Sequence, residues 1–80
     1  MKPGTLQPLS ALPLGQTGVV QTVAASDMTR RFWDLGLIPG TAVTPLLVSP
    51  SGDPVAYAFR GTVIALRRQD AAAVLVTAAT

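Results

Sequence analysis

The stretch RRFWDLGLIPGTAV, residues 30–43, limits the fold more than any other part of this chain. It opens as an amphipathic helix and ends as the entry to a strand, with Gly36 and Gly40 bracketing the turn between them. If Gly36 is the left-handed residue beyond the helix, Leu35 is the C-cap and Phe32 lies three positions before it. Leu37 then packs on Phe32, the apolar contact that accompanies a Schellman stop. Ile38-Pro39-Gly40-Thr41 fits a type II turn, in which Pro39 fixes φ at the second position and Gly40 supplies positive φ at the third. A chain that stops its helix and turns at once into a strand has room here only for a short helix laid against a sheet.

The same punctuation recurs along the chain, with seven Gly and seven Pro in 80 residues. Residues 1–5 read as a loose leader. LQPLSALPLGQTG has the leucine spacing of a short turn tucked under a core. GVVQTVAA is β-branched and bounded by turn formers, so a strand is expected at about 17–24. Strict alternation puts Val19 and Val23 on one side and Val20 and Thr22 on the other. Ser26 or Asp27 can cap a helix over about 27–35, with Met28, Phe32 and Leu35 as its apolar stripe. TAVTPLLV (41–48) and PVAYAFR (54–60) read as strands joined by the turn SPSGDP, which contains Gly52. Val55, Tyr57 and Phe59 share one face. Pro45 cannot donate to a ladder, so its strand is an edge or carries a bulge there. Gly61 separates 54–60 from the strand TVIALR (62–67). RQDAAA (68–73) is a tight turn or a single helical turn, VLV (74–76) closes the sheet, and 77–80 look frayed. About five short strands and one short helix predict a single, mostly β domain over residues 1–80, folded as a small and partly open barrel.

Eighty residues bury only roughly 60–65% of the surface that the unfolded chain exposes, so the core is small. There is no Cys, His or Glu, which removes disulfides, thiol chemistry and the usual zinc ligands. No apolar run approaches a membrane span, and Pro3, Pro8, Pro13, Gly4 and Gly15 break the N-terminal region where a signal peptide would need an apolar stretch. The expectation is a cytoplasmic protein without membrane insertion. The net charge of +2 rests on six basic and four acidic groups. That is a weak basis for binding nucleic acid, because affinity for phosphates scales with the number of contacts. Of the four aromatic residues, Phe32, Tyr57 and Phe59 are expected in the core, which leaves no stacking platform. Arg67 and Arg68, with Arg60, read as a solvated face with Asp70 as counter-charge.

The charges on the short helix fit less easily. Asp34 lies in the last turn, where the helix dipole is already negative. Arg30 precedes it by four residues, the weaker orientation for a helical ion pair. Trp33 sits about 140° around the helix from Met28, on the flank of the apolar stripe. Two readings fit. Asp34 caps a loop amide and Trp33 closes the end of the barrel, or these residues form a docking face, since Trp and Arg are enriched at binding hot spots.

Taken together, RRFWDLGLIPGTAV, PSGDPVAYAFRG and IALRRQDAAAVLV resemble the FeoA family of ferrous iron transport proteins, over about residues 8–76. The family pattern falls at Arg30 to Gly36, Pro39-Gly40, Pro50 to Pro54, Gly61, Leu66-Arg67 and Asp70-Ala71. Phe32 and Trp33 stand where the family usually has two leucines, Ser51 where it often has a large apolar residue, and Pro45 where a β-branched residue is usual. The resemblance implies an SH3-like barrel that works with FeoB, a membrane transporter with a cytoplasmic GTPase domain, in an accessory or regulatory role without catalysis or cofactor. On that basis Arg30, Arg31, Trp33, Asp34, Ser51 and Asp53 are the candidate partner-binding residues, while Gly36, Pro39, Gly40, Gly52 and Gly61 shape turns. The alternative is the SH3-like regulatory domain of an iron-dependent transcriptional repressor; Met1 and the short length favour a stand-alone protein. A nucleic-acid-binding barrel is a third and weaker reading. A weak homo-oligomer is compatible with the sequence.

Catalysis finds no support. A Ser or Thr nucleophile would need a base, and Lys2 lies in the loose leader. SGDP lacks the glycine run, the Lys and the following helix of a phosphate loop. Four scattered Asp do not make a metal cage. Calorimetric titration of the isolated protein with ferrous ion is therefore expected to give no stoichiometric site of micromolar or tighter affinity, and such a site would contradict the reading.

Overall fold

The computed structural model describes residues 5–24 and 29–78. The described residues form six strands, two short α-helices and one 3₁₀ turn. In order they are β1 (Leu6–Pro8), the 3₁₀ turn Leu9–Ala11, β2 (Gly18–Val23), α1 (Thr29–Leu35), β3 (Ala42–Val48), β4 (Val55–Phe59), β5 (Thr62–Leu66), α2 (Arg68–Ala71) and β6 (Val74–Ala78). All pairings are antiparallel and the strand order is β1-β6-β2-β3-β4-β5. The sheet bends into a small barrel that does not close, leaving β1 and β5 as edges.

The core gathers inward-facing residues from almost every element: Leu9, Val20, Phe32, Leu37, Val43 and Tyr57 are each at most 1% exposed. Val55, Tyr57 and Phe59 share the inner face, as their alternation requires. Burial pushes the Tyr57 phenol above its ordinary value of 10.0, with the Arg68 charge opposing the shift.

Four sequence expectations need correction. A strand, β1, occupies Leu6–Pro8, where only a turn was expected; it pairs Leu6 with Thr77 and Gln7 with Val76. Pro8 is tolerated because β1 is an edge. Correspondingly, residues 77–78 are not frayed: Thr77 and Ala78 pair with Val19 and Gly18. The register of β2 shifts between Val20 and Thr22. This irregularity breaks the alternation, so that Val20 is fully buried and Val23 also packs on the core, instead of facing away from it. A similar irregularity between Pro45 and Leu47 accounts for the proline, since β3 is a central strand rather than an edge. The expected caps Ser26 and Asp27, and Met28 of the stripe, lie outside the described residues. Leu35 is 36% exposed and so is not the core residue its position suggests; beyond the helix stop, Leu37 is fully buried.

The stop has the geometry that the two glycines imply. Leu37 N–H donates to the Phe32 carbonyl at 2.9 Å and Gly36 N–H to the Trp33 carbonyl at 3.0 Å, the two bonds of a Schellman motif. Gly36 has φ of 103° and Gly40 of 95°. Thr41 N–H closes the type II turn on the Ile38 carbonyl, and its hydroxyl donates to the Gly36 carbonyl at 2.8 Å. Gly40 N–H then donates to the Val20 carbonyl at 2.7 Å and Val20 N–H to the Thr41 carbonyl at 2.9 Å, so the turn is stitched to β2.

Both glycines should resist substitution, but unequally. At Gly40 a β-carbon meets nothing within 4 Å, so Gly40→Ala carries only the left-handed strain of about 1–2 kcal/mol. At Gly36 it would also lie 2.6 Å from Cδ of Arg60. Thermal melts should rank Gly36→Ala below Gly40→Ala and both below the parent. Equal midpoints for all three would refute the assignment.

Candidate functional site

Helix α1 is seven residues long and buries one of them, Phe32. At 100° per residue, Arg30, Trp33 and Asp34 fall within an arc of about 100° opposite Phe32. All three are exposed, Trp33 at 55%. Among the described residues Asp34 has no hydrogen bond or ion pair, so its anomalous place at the negative end of the helix is not explained by capping a loop. The flank of α1 bearing Arg31 and Leu35 faces a different feature. It forms one wall of a groove of about 300 Å³ whose other wall is residues 64–66 of β5, with Arg67 and Asp70 at the end.

Ser51 and Asp53 belong to the loop between β3 and β4, and their bonds lie within the chain. The Ser51 hydroxyl donates to the Asp53 carbonyl at 2.9 Å. The Asp53 carboxylate accepts the backbone N–H of Arg68, the first residue of α2, at 2.9 Å and lies 3.8 Å from the Arg67 guanidinium. Arg68 returns the contact through its Nε–H, which donates to the Gly52 carbonyl at 2.7 Å. The loop therefore caps α2 from 15 residues away in sequence, a task that spacing alone does not reveal. Gly52 and Gly61 both have positive φ, as turn residues. At the β4–β5 hairpin Arg60 joins Gly61 in the left-handed region, with φ of 52° and 76°, the pattern of a type I′ turn.

Sequence reasoning missed one surface. Residues paired across antiparallel strands share a face. Leu47, Ala56 and Ala65 therefore form one row on the outside of β3, β4 and β5, and Thr44, Ala58 and Val63 the next. Leu47 is 60% and Val63 58% exposed. An outer face without a single charge is unusual for an antiparallel sheet, which ordinarily turns polar residues to water.

Three of the four aromatic residues, Phe32, Tyr57 and Phe59, are in the core, so Trp33 is the single exposed ring. Among the described residues no three His, Cys, Asp or Glu side chains converge, and no helix is long and apolar enough to cross a membrane.

Residues 7–78 match the FeoA domain. The chain belongs to the FeoA family. Its fold superimposes on the FeoA protein from Chlorobium tepidum with a TM-score of 0.85, at 33% identity over 92% of this chain and 71% of that one. FeoA from Stenotrophomonas maltophilia, a procaryotic SH3 domain protein solved in complex with zinc, gives 0.80 at 32% identity over 88% of each chain. A manganese-dependent transcriptional repressor shares the fold at 0.83, with 22% identity and only 44% of its own length covered. No curated protein matches the chain in sequence. The SH3-like, mostly β architecture expected from the sequence is thus the one observed, with six strands in place of about five.

The internal role of Asp53 makes a measurable difference. Asp53→Ala should cost about 1 kcal/mol, the usual value of a helix cap, with little from the exposed Arg67 pair. Asp53→Asn should recover most of that loss, because an amide oxygen can still accept the Arg68 N–H. Chemical denaturation measures both; a silent Asp53→Ala would show that the loop does not hold α2.

Proposed function

We propose that this protein is a cytoplasmic accessory and regulatory component of a ferrous iron transport system, acting by contact with FeoB and its GTPase domain and without catalysis. Membership of the FeoA family carries the reading. The docking residues are Arg30, Trp33 and Asp34 on the outer arc of α1, with Arg31 beside them. A half-exposed Trp next to an Arg is the composition of an interface anchor. Asp34, which has no partner within the described residues, is available to one outside the chain. The Schellman stop and the turn stitched to β2 hold this face rigid, so little ordering entropy is lost on docking. Ser51 and Asp53 contribute indirectly, by holding the loop and α2 in place.

The repressor-domain reading has one observation in its favour, a TM-score of 0.85 to a manganese-dependent repressor. At 23% identity, and spanning 38% of that chain, the likeness extends to the fold alone.

The test is capture of the protein by the purified cytoplasmic domains of FeoB. Trp33→Ala should weaken binding by about 2 kcal/mol, a hot-spot value. It should leave the thermal midpoint within a few degrees, since exposed substitutions usually cost under about 0.5 kcal/mol. Collapse of the Trp33→Ala fold, or unchanged binding, would remove α1 as the docking face.

A further inference from the structure

Strand β5 is an edge with none of the usual protections. Edge strands are commonly kept from pairing by charges, prolines, bulges or short length. Thr62–Leu66 reads TVIAL, contains no charge and no Pro, and pairs with β4 in unbroken register over all five residues. The opposite edge, β1, has three residues and ends on Pro8. In a two-residue hairpin the closing pair, here Phe59 and Thr62, exchanges both its hydrogen bonds, and bonding alternates from there down the ladder. Val63 and Ala65 therefore turn their N–H and C=O groups away from β4. No described backbone group meets them.

The space beside that edge is shaped and charged. The groove of about 300 Å³ runs between β5 and the flank of α1, with Leu35 and Ile64 as apolar walls. Arg31 and Arg67 line it, and among the described lining residues Asp70 brings the one carboxylate. Arg31 has no acidic partner among the described residues, and the Arg67–Asp53 contact at 3.8 Å is exposed and weak. An occupant must offer a backbone in extended form, apolar side chains toward the groove, and negative charge toward the two arginines. A second copy of this chain satisfies the first condition but brings the same positive margin with it.

We propose that the free edge of β5 and the groove beside α1 receive an extended, acidic segment of a partner protein as an added β-strand. The inference rests on the docking role proposed above and specifies its chemistry: main-chain bonds to Val63 and Ala65 supply affinity, and carboxylates at Arg31 and Arg67 supply selectivity.

The test uses isotope-labelled whole protein, the purified FeoB cytoplasmic domains, and overlapping peptides that tile the cytoplasmic segments of FeoB. An acidic tile should bind, slow amide exchange at Val63 and Ala65 by at least about tenfold, and shift resonances along β5 and the Arg31 flank of α1. Ala65→Pro removes one outward N–H and no ladder bond, and should weaken the tile by about tenfold or more. Should that variant not fold, Arg31→Glu on the exposed helix flank carries the same expectation, together with reduced salt dependence. The inference is overturned if the FeoB domains bind but no tile does, if a bound tile leaves both amides exchanging freely, or if both variants bind as the parent does. Protection of the two amides that grows with protein concentration alone would identify a second copy as the occupant and overturn it too. If neither the domains nor any tile binds, the docking role falls along with it.

Discussion

The hydrogen bond from Leu37 N–H to the Phe32 carbonyl, 2.9 Å long, is the contact on which the rest of the structure depends. It exists because Gly36 can take a φ of 103°, where an L side chain would be strained. It ends α1 after one buried residue and places Leu37 beside Phe32 in the core, both fully buried. The hydroxyl of Thr41 on the Gly36 carbonyl and the paired bonds between Val20 and the turn then fix that corner to β2. In a domain with so small a core, a handful of such bonds decides which way the helix points. The outward arc of Arg30, Trp33 and Asp34 follows from it, because Phe32 anchors the opposite side.

The partly open barrel divides its surface into regions of different chemistry. The β3–β4 loop is tied down by Asp53 and Arg68, so it contributes rigidity. The β4–β5 hairpin ends in a two-residue turn and leaves β5 with a free edge beside the helix. An uncharged outer face on β3, β4 and β5 adjoins that edge. A protein with this distribution presents an uncharged outer face on three strands, unpaired backbone groups on one edge strand and its Trp on one helix.

The features that were legible in the sequence are those set by local backbone geometry. Gly36, Gly40 and Pro39 announce the helix stop and the type II turn because only a few residue types tolerate those φ values. Val55, Tyr57 and Phe59 announce a half-buried strand through their period of two. What the sequence hid depends on partners distant in the chain. The pairing of Leu6 with Thr77 cannot be inferred from either segment alone: residues 6–8 look too short to be a strand, and the strand read at 74–76 looks frayed beyond Val76. The irregularity in β2 defeats strict alternation at Gln21, so Val23 faces the core against the simple expectation.

By itself, then, the sequence determined a short helix, a set of short antiparallel strands and the turns between them, since steric limits on φ and the two periodicities act within a few residues. Only the tertiary structure decided that Leu37 rather than Leu35 fills the core and that Asp53 caps α2. It also decided that β5 ends the sheet. These depend on which segments meet when the apolar faces of an 80-residue chain are buried together. Burial has no sequence range, so a residue's fate is fixed by whatever the folded chain brings against it.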